Sequence, residues 1–196
     1  YIGKLNHQCL SLKEIRNTGF PMSDVLVQRG KHIANGTYLA AMHAMQSGIG
    51  MNIAGGTHHS FSDHGEGFCL FNDIAIAANI LLSKNKVKKI LIVDLDVHQG
   101  NGTANIFSNI SDVFTFSMHG EKNYPTRKES SDFDIGMPDK CEDLYYLRCL
   151  KEVLPKLLDN VQPDFIFYLA GVDILESDKL GRLSISKQGC KERDRY

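Results

Sequence analysis

No stretch of the sequence is apolar for long enough to cross a bilayer. The longest runs, Ile90 to Leu95 and Phe165 to Ala170, fall far short of the ~20 residues that a spanning helix needs. An excess of one charge is also lacking. With 22 Lys and Arg against 23 Asp and Glu, the formal net charge is -1, which gives no electrostatic footprint for nucleic acid or an anionic membrane surface. The N-terminal Tyr-Ile-Gly-Lys-Leu-Asn-His has no apolar core behind a basic segment, so no signal peptide is expected. Cysteines are few and scattered. Cys9, Cys69, Cys141, Cys149 and Cys190 form an odd set without a Cys-x-x-Cys pair, which argues against a disulfide frame or a zinc knuckle. They are expected to stay reduced in a cytoplasm, or in a nucleus if the source is eukaryotic.

What is present is a chain of 196 residues with 42% hydrophobic content, enough for one substantial core and a single domain over residues 1–196. The chain starts in what reads as the interior of a sequence. It stops at Lys-Glu-Arg-Asp-Arg-Tyr, just after an amphipathic segment begins at Ser186. A fragment incomplete at both ends is expected.

Apolar positions at Ile33, Tyr38, Leu39, Met42 and Met45 predict a helix over Gln28 to Gln46, ended by Gly48 and Gly50. Met51 to Ala54 reads as a short strand halted by Gly55 and Gly56. Asn72 or Asp73 is placed to cap a helix through Leu81. Lys88 to Asp96 reads as a buried strand, Thr103 to Phe107 as a short helix, and Asp112 to Met118 as a strand. Glu142 to Leu158 has the period of a long amphipathic helix with Pro155 as a breaker, and Asp164 to Ala170 closes the series as a strand. This alternation implies an α/β fold with a mostly parallel central sheet and helices on both faces. Ligands of such sheets bind beyond the C-terminal strand ends, and that is where the polar clusters fall.

Asp94, Asp96 and His98 recur every second residue, so an extended backbone would turn them to one face and Leu91, Val93, Leu95 and Val97 to the other. Carboxylates beside an imidazole are a metal-ligand set that leaves a coordination position open. Gly55-Gly56-Thr57-His58-His59 supplies paired histidines behind a flexible turn, suited to general base and acid work beside a metal-bound water. In Gly65-Glu-Gly-Phe-Cys-Leu-Phe-Asn-Asp73 the Gly67 backbone is placed to face a substrate amide and Phe68 to wall an apolar channel. Phe68 is equally well read as a core residue. Asp173 and Asp178 follow the last strand, and by themselves the residues favour Asp173 as a third ligand.

Taken together, Gly-Gly-Thr-His-His, Gly-Phe-Cys-Leu-Phe-Asn-Asp, Asp-Leu-Asp-Val-His-Gln-Gly-Asn-Gly-Thr and Ala-Gly-Val-Asp-Ile-Leu-Glu-Ser-Asp-Lys-Leu-Gly resemble the histone deacetylase family, in that family's order and over nearly the whole chain. Gln99-Gly-Asn101-Gly is most similar to the class IV deacetylases and their bacterial relatives. The resemblance implies an arginase/deacetylase fold, one catalytic Zn2+, and hydrolysis of an acyl-lysine protein or peptide or another acylated amine. It makes Asp96, His98 and Asp178 the zinc ligands, with Asp178 chosen for its place before the Leu-Gly step. It makes His58 and His59 the catalytic histidines and Asp94 the carboxylate that orients His58. It also implies K+ held by Asp94, Ser117 and Met118 with backbone of Asp96 and His98, and a second monovalent site around Phe107 and Val113. Phe68 and Tyr124 match the walls of the substrate tunnel. Asn101 offers His59 a neutral amide where many relatives have a carboxylate, so the charged form of His59 is expected to be less favoured. A glycine run ending in Tyr, the family's oxyanion donor, is not found before Tyr196. Competing readings are arginase-like ureohydrolysis with two manganese ions, acetylpolyamine hydrolysis, and a non-catalytic acyl-lysine-binding scaffold.

Overall fold

The computed structural model describes residues 1–196, which form two compact units. One comprises Tyr1–Lys86 with Asn101–Ile106, the other Val87–Gly100 with Phe107–Tyr196.

The first unit is helical: α1 (Ile2–Asn6), α2 (Leu12–Thr18), α3 (Asp24–Ser47), α4 (Asp73–Ser83) and most of α5 (Asn101–Phe107). Sequence periodicity anticipates α3, but not α1 or α2, which are too short to show a period. Leu5, Leu10, Val27, Leu70 and Phe71 form the core of this unit. Met51 to Ala54 does not form a strand. Its Asn52 instead donates to the Ile33 carbonyl and the Thr37 hydroxyl of α3, which commits the segment to a helix flank rather than to a sheet.

The second unit carries β1 (Ile90–Asp94), β2 (Val113–Gly120), β3 (Phe133–Met137) and β4 (Phe165–Leu169), with α6 (Asp143–Val161) and α7 (Lys187–Arg195). The strands are all parallel, in the order β3-β2-β1-β4. The sequence does not anticipate β3: Phe133, Ile135 and Met137 alternate with Asp134 and Gly136, but over only five residues, of which only Met137 is buried. Leu91, Val93, Leu95, Val97, Phe116 and Met118 share one core with Tyr146, Leu147, Leu150 and Leu157 of α6, as strand alternation predicts. α6 continues through Pro155. Proline has no N–H to offer the carbonyl four residues back, and that carbonyl, of Lys151, accepts the Tyr196 hydroxyl at 3.4 Å. Ser186 caps α7 through Gly189 N, while Asp143 at the start of α6 accepts from the Ser186 backbone and hydroxyl. No helix is long and apolar enough to cross a membrane, and all five cysteines are free thiols.

At the start of α2, Ser11 and Glu14 form a capping box, and Lys4 reaches the same carboxylate at 2.7 Å. The hydrogen bonds from Lys4 and Ser11 hold the Glu14 carboxyl well down, to about 2. A carboxylate depressed in the folded state adds stability above its ordinary value and loses it as pH falls through the folded value. Glu14→Gln is therefore expected to unfold at lower urea than the parent at neutral pH. The two midpoints should converge as pH is lowered toward about 2.

Candidate active site

In the first unit the histidine pair is fixed from below by the start of α4. Asp73, buried, accepts from Thr57 N at 2.7 Å and its hydroxyl at 2.6 Å, and from Gly56 N at 3.1 Å. A Cβ at Gly55 would lie 2.7 Å from the same carboxylate, so the double glycine is needed for that approach. Asn72 caps α4 through Ala75 N, and its amide nitrogen donates to Ser60 O at 3.2 Å and to the Thr103 hydroxyl at 2.9 Å. Thr103 N donates in turn to the His58 carbonyl. Gly102 packs where any side chain would strike the Ser60 carbonyl. That close approach explains the second glycine of Gly-Asn-Gly.

Held this way, His58 and His59 are almost wholly buried, with ring centroids 4.2 Å apart. His59 Nδ1 lies 2.7 Å from Asn101 Oδ1, and Asn101 Nδ2 donates to Glu66 Oε1 at 2.9 Å. Gly67 has a positive φ of 54°, and a Cβ there would meet the His59 ring at 2.8 Å. Phe68 follows, also at positive φ. It is 61% exposed and meets Phe20 edge-on at 5.3 Å, so it does not join the core.

In the second unit β1 ends at Asp94, and the chain beyond it bends rather than continuing extended. The carboxylates cause this. Asp94 Oδ1 accepts from Asp96 N, and Asp96 Oδ1 accepts from His98 N, at 3.1 and 2.8 Å, as short polar side chains do in turns. These bends bring Asp96 and His98 together with Asp173 from the loop after β4, their ligand atoms all within 4.8 Å of one another. His98 Nδ1 is 3.1 Å from Asp96 Oδ1 and 3.0 Å from Asp173 Oδ2, and Asp173 Oδ1 accepts Val97 N. Gly171 permits this packing, since a Cβ there would lie 2.5 Å from Asp96 Oδ2.

Asp178, expected as the third ligand, is not one of these three. It is exposed, and its Oδ1 accepts the backbone N–H groups of Leu180 and Gly181 at 2.7 and 2.8 Å. The turn it closes presses Gly181 against the Asp173 carbonyl. The Leu-Gly step is thus a neighbour of Asp173 in space, although Asp178 is nearer in sequence.

Burial opposes a charge on His98, but hydrogen bonds to Asp173 and Asp96, with their charges, outweigh it and raise the imidazole to about 9. Two carboxylates converging on one imidazole nitrogen fit a divalent cation, which would displace that proton on binding.

Of the remaining expected residues, Asp94 and Ser117 are register partners in the β1–β2 ladder and both are buried, as is Met118. Phe107 and Val113 are buried too. Ser117 Oγ is 2.9 Å from His119 Nδ1. Gln99 donates to Glu129 O and Asp134 and accepts Glu129 N, so it ties down the loop after β2. Tyr124 lies in that loop, 41% exposed, between carbonyls of Asn123 and Pro125 that both accept from Lys128 Nζ.

Arg193 of α7 gives no signal in the sequence. It is buried and its Nη1 donates to the carbonyls of Leu95 and Gly171 at 3.2 and 2.6 Å, which ties together the ends of β1 and β4. Nε donates to Asp194. Asp194 is 41% exposed and would stay hydrated without its partner, so the loss is that of the hydrogen bonds from a charged donor to the two carbonyls. Arg193→Met is therefore expected to lower the unfolding free energy by about 1.5–3 kcal/mol, read from urea melts.

A parallel α/β sheet with a three-donor group at its strand ends, in a chain that also carries a buried histidine pair, is the layout of an α/β domain able to hold a metal. The whole chain, residues 1–196, matches the family described as histone deacetylase domain, and it belongs to that family. It is 47% identical over 186 residues to an uncharacterized protein of Picosynechococcus, covering 95% of this chain and 62% of that protein. Histone deacetylase 2 of Arabidopsis thaliana is 36% identical over 162 residues, 81% of this chain and 42% of that protein. The chain thus spans less than two thirds of the length of these relatives. The crystal structure of a deacetylase homologue from Aquifex aeolicus superposes on all of this chain and 58% of its own, with a TM-score of 0.85 at 23% identity, and shows the same fold.

Proposed function

We propose that the protein is a zinc-dependent hydrolase of the amide in acyl-lysine. The observation that carries this reading is the Asp96, His98 and Asp173 group, in a chain whose family is that of histone deacetylases. When bound there, zinc would polarise the acyl carbonyl and bring the pKa of a coordinated water toward ~7. His59 accepts the proton of the attacking water and returns it to the departing lysine amine. His58 stabilises the negative charge that develops on the carbonyl oxygen, with Asp94 as its orienting carboxylate. The Gly67 backbone faces the substrate amide, while Phe68 and Tyr124, both exposed, line the path of the acyl chain. K+ is assigned to Asp94, Ser117 and Met118 with the backbone of Asp96 and His98. The five free thiols favour a reducing cytoplasm as the site of action.

Metal content separates the two carboxylate assignments. Asp173→Ala is expected to lose bound zinc and acyl-lysine turnover together, whereas Asp178→Ala keeps the metal. Zinc retained in Asp173→Ala but lost from Asp178→Ala would reverse the assignment.

General acid–base groups contribute about 10²–10⁴ in rate, so His59→Ala should lower kcat by that factor with zinc still bound. Because both halves serve one step, His98→Ala combined with His59→Ala should cost little more than His98→Ala alone. Turnover is read with fluorogenic acyl-lysine peptides of increasing chain length, with and without chelator. Chelator-resistant turnover would sink the scheme, and cleavage of acetylpolyamines alone would move the substrate to that class.

A further inference from the structure

Glu66 stands between the two glycines of Gly65-Glu-Gly67 and is absent from the residues assigned so far. Its backbone is held by a reciprocal pair of hydrogen bonds, Glu66 N to Cys69 O and Cys69 N to Glu66 O, at 3.1 and 2.9 Å. A side chain at Gly65 would lie 2.7 Å from that Cys69 carbonyl, and one at Gly67 would strike the His59 ring. The Glu66 carboxylate is therefore delivered from a fixed backbone. Oε1 accepts from Asn101 Nδ2 at 2.9 Å, and Oε2 is 3.5 Å from His64 Nε2, whose Nδ1 is 2.6 Å from Asp63. His64 is stacked on Phe61 with centroids 4.4 Å apart, which holds that end still.

The consequence follows from donors and acceptors alone. A carboxylate only accepts, whereas an amide has one accepting and one donating end. With Glu66 in contact, Asn101 must turn Nδ2 toward it, because the reverse orientation would set two oxygens face to face. Oδ1 is then the end left for His59 Nδ1, 2.7 Å away, and an oxygen there requires a proton on Nδ1.

We propose that Glu66 is a positioning residue: through the Asn101 amide it fixes His59 as the tautomer protonated at Nδ1, leaving Nε2 as the basic atom. The catalytic meaning of this rests on the reading of His59 as the proton acceptor; the tautomer itself does not. The neutral amide at position 101, which withholds a carboxylate from His59, is thereby given a direction by a carboxylate one step further out.

The test is the 15N spectrum of the His59 imidazole in the intact protein, with kcat and KM measured on the same variants. In the parent, Nδ1 is expected to carry the proton. Glu66→Gln can still accept from Asn101, so it should keep that tautomer and stay within about tenfold of parental kcat. Glu66→Lys only donates, so it should turn the amide over, move the proton to Nε2 and lower kcat by about 10²–10⁴ with KM little changed. A proton that stays on Nδ1 in Glu66→Lys overturns the proposal. If the tautomer moves but kcat does not, the relay stands and the assignment of His59 as base falls instead. Should Glu66→Lys fail to fold, Asn101→Asp reads the same contact. Alone it sets two carboxylates face to face and should turn over more slowly than when combined with Glu66→Gln. Equal turnover of the two would overturn the relay.

Discussion

A strand that stops at Asp94 and then bends twice on its own carboxylates is the constraint on which the Asp96, His98 and Asp173 group depends. Asp94 and Asp96 each accept, through one oxygen, the N–H two residues ahead, which shapes the backbone. Asp173 does the same with Val97 N. Each carboxylate is therefore oriented by the segment it organises, and the three donors arrive together without a long side chain having to be immobilised. Gly171 and Gly181 belong to the same device, since both lie where a side chain would push the Asp96 or Asp173 segment away.

The first unit solves a different problem, that of keeping two polar rings in a dry place. Unpartnered buried polar groups cost about 1–3 kcal/mol each. The turn that carries His58 and His59 accordingly meets a shell of side chains matched in donors and acceptors: Asp73 for the N–H groups of Gly56 and Thr57, Asn72 for the Ser60 carbonyl, Asn101 for the His59 ring.

Much of this was legible beforehand where periodicity or spacing is strong. Leu91, Val93, Leu95 and Val97 fall in the core, and the long amphipathic helix is present with Pro155 inside it. The failures share a cause, in that a tertiary partner decided the outcome. Met51 to Ala54 has the composition of a strand but is claimed by α3 through Asn52. β3 is only five residues long and its apolar Phe133, Ile135 and Met137 are separated by Asp134 and Gly136, yet it pairs along Phe133 to Met137 because β2 offers it an edge. The spacing of Asp94, Asp96 and His98 reads as extended, but bends rather than a strand bring the last two together. Asp178 stands just before the Leu-Gly step in sequence, and the turn it closes brings that step against Asp173. Glu66 had a signal in its flanking glycines, which are small because the backbone runs against Cys69 and His59.

Asn72 carries a consequence for which amino acids its position can accept. Its oxygen ends a helix while its nitrogen, at the opposite tip, holds the strand of chain behind the histidines. Aspartate would cap as well but could not donate; serine could do either from a single atom, but could not reach both ways. Only a short side chain with an acceptor at one tip and a donor at the other satisfies both duties. Fraying of the first turn of α4 would therefore not stay local. It would release the support under the histidine pair, so that the rigidity of a helix end and the placing of two buried rings become one and the same property.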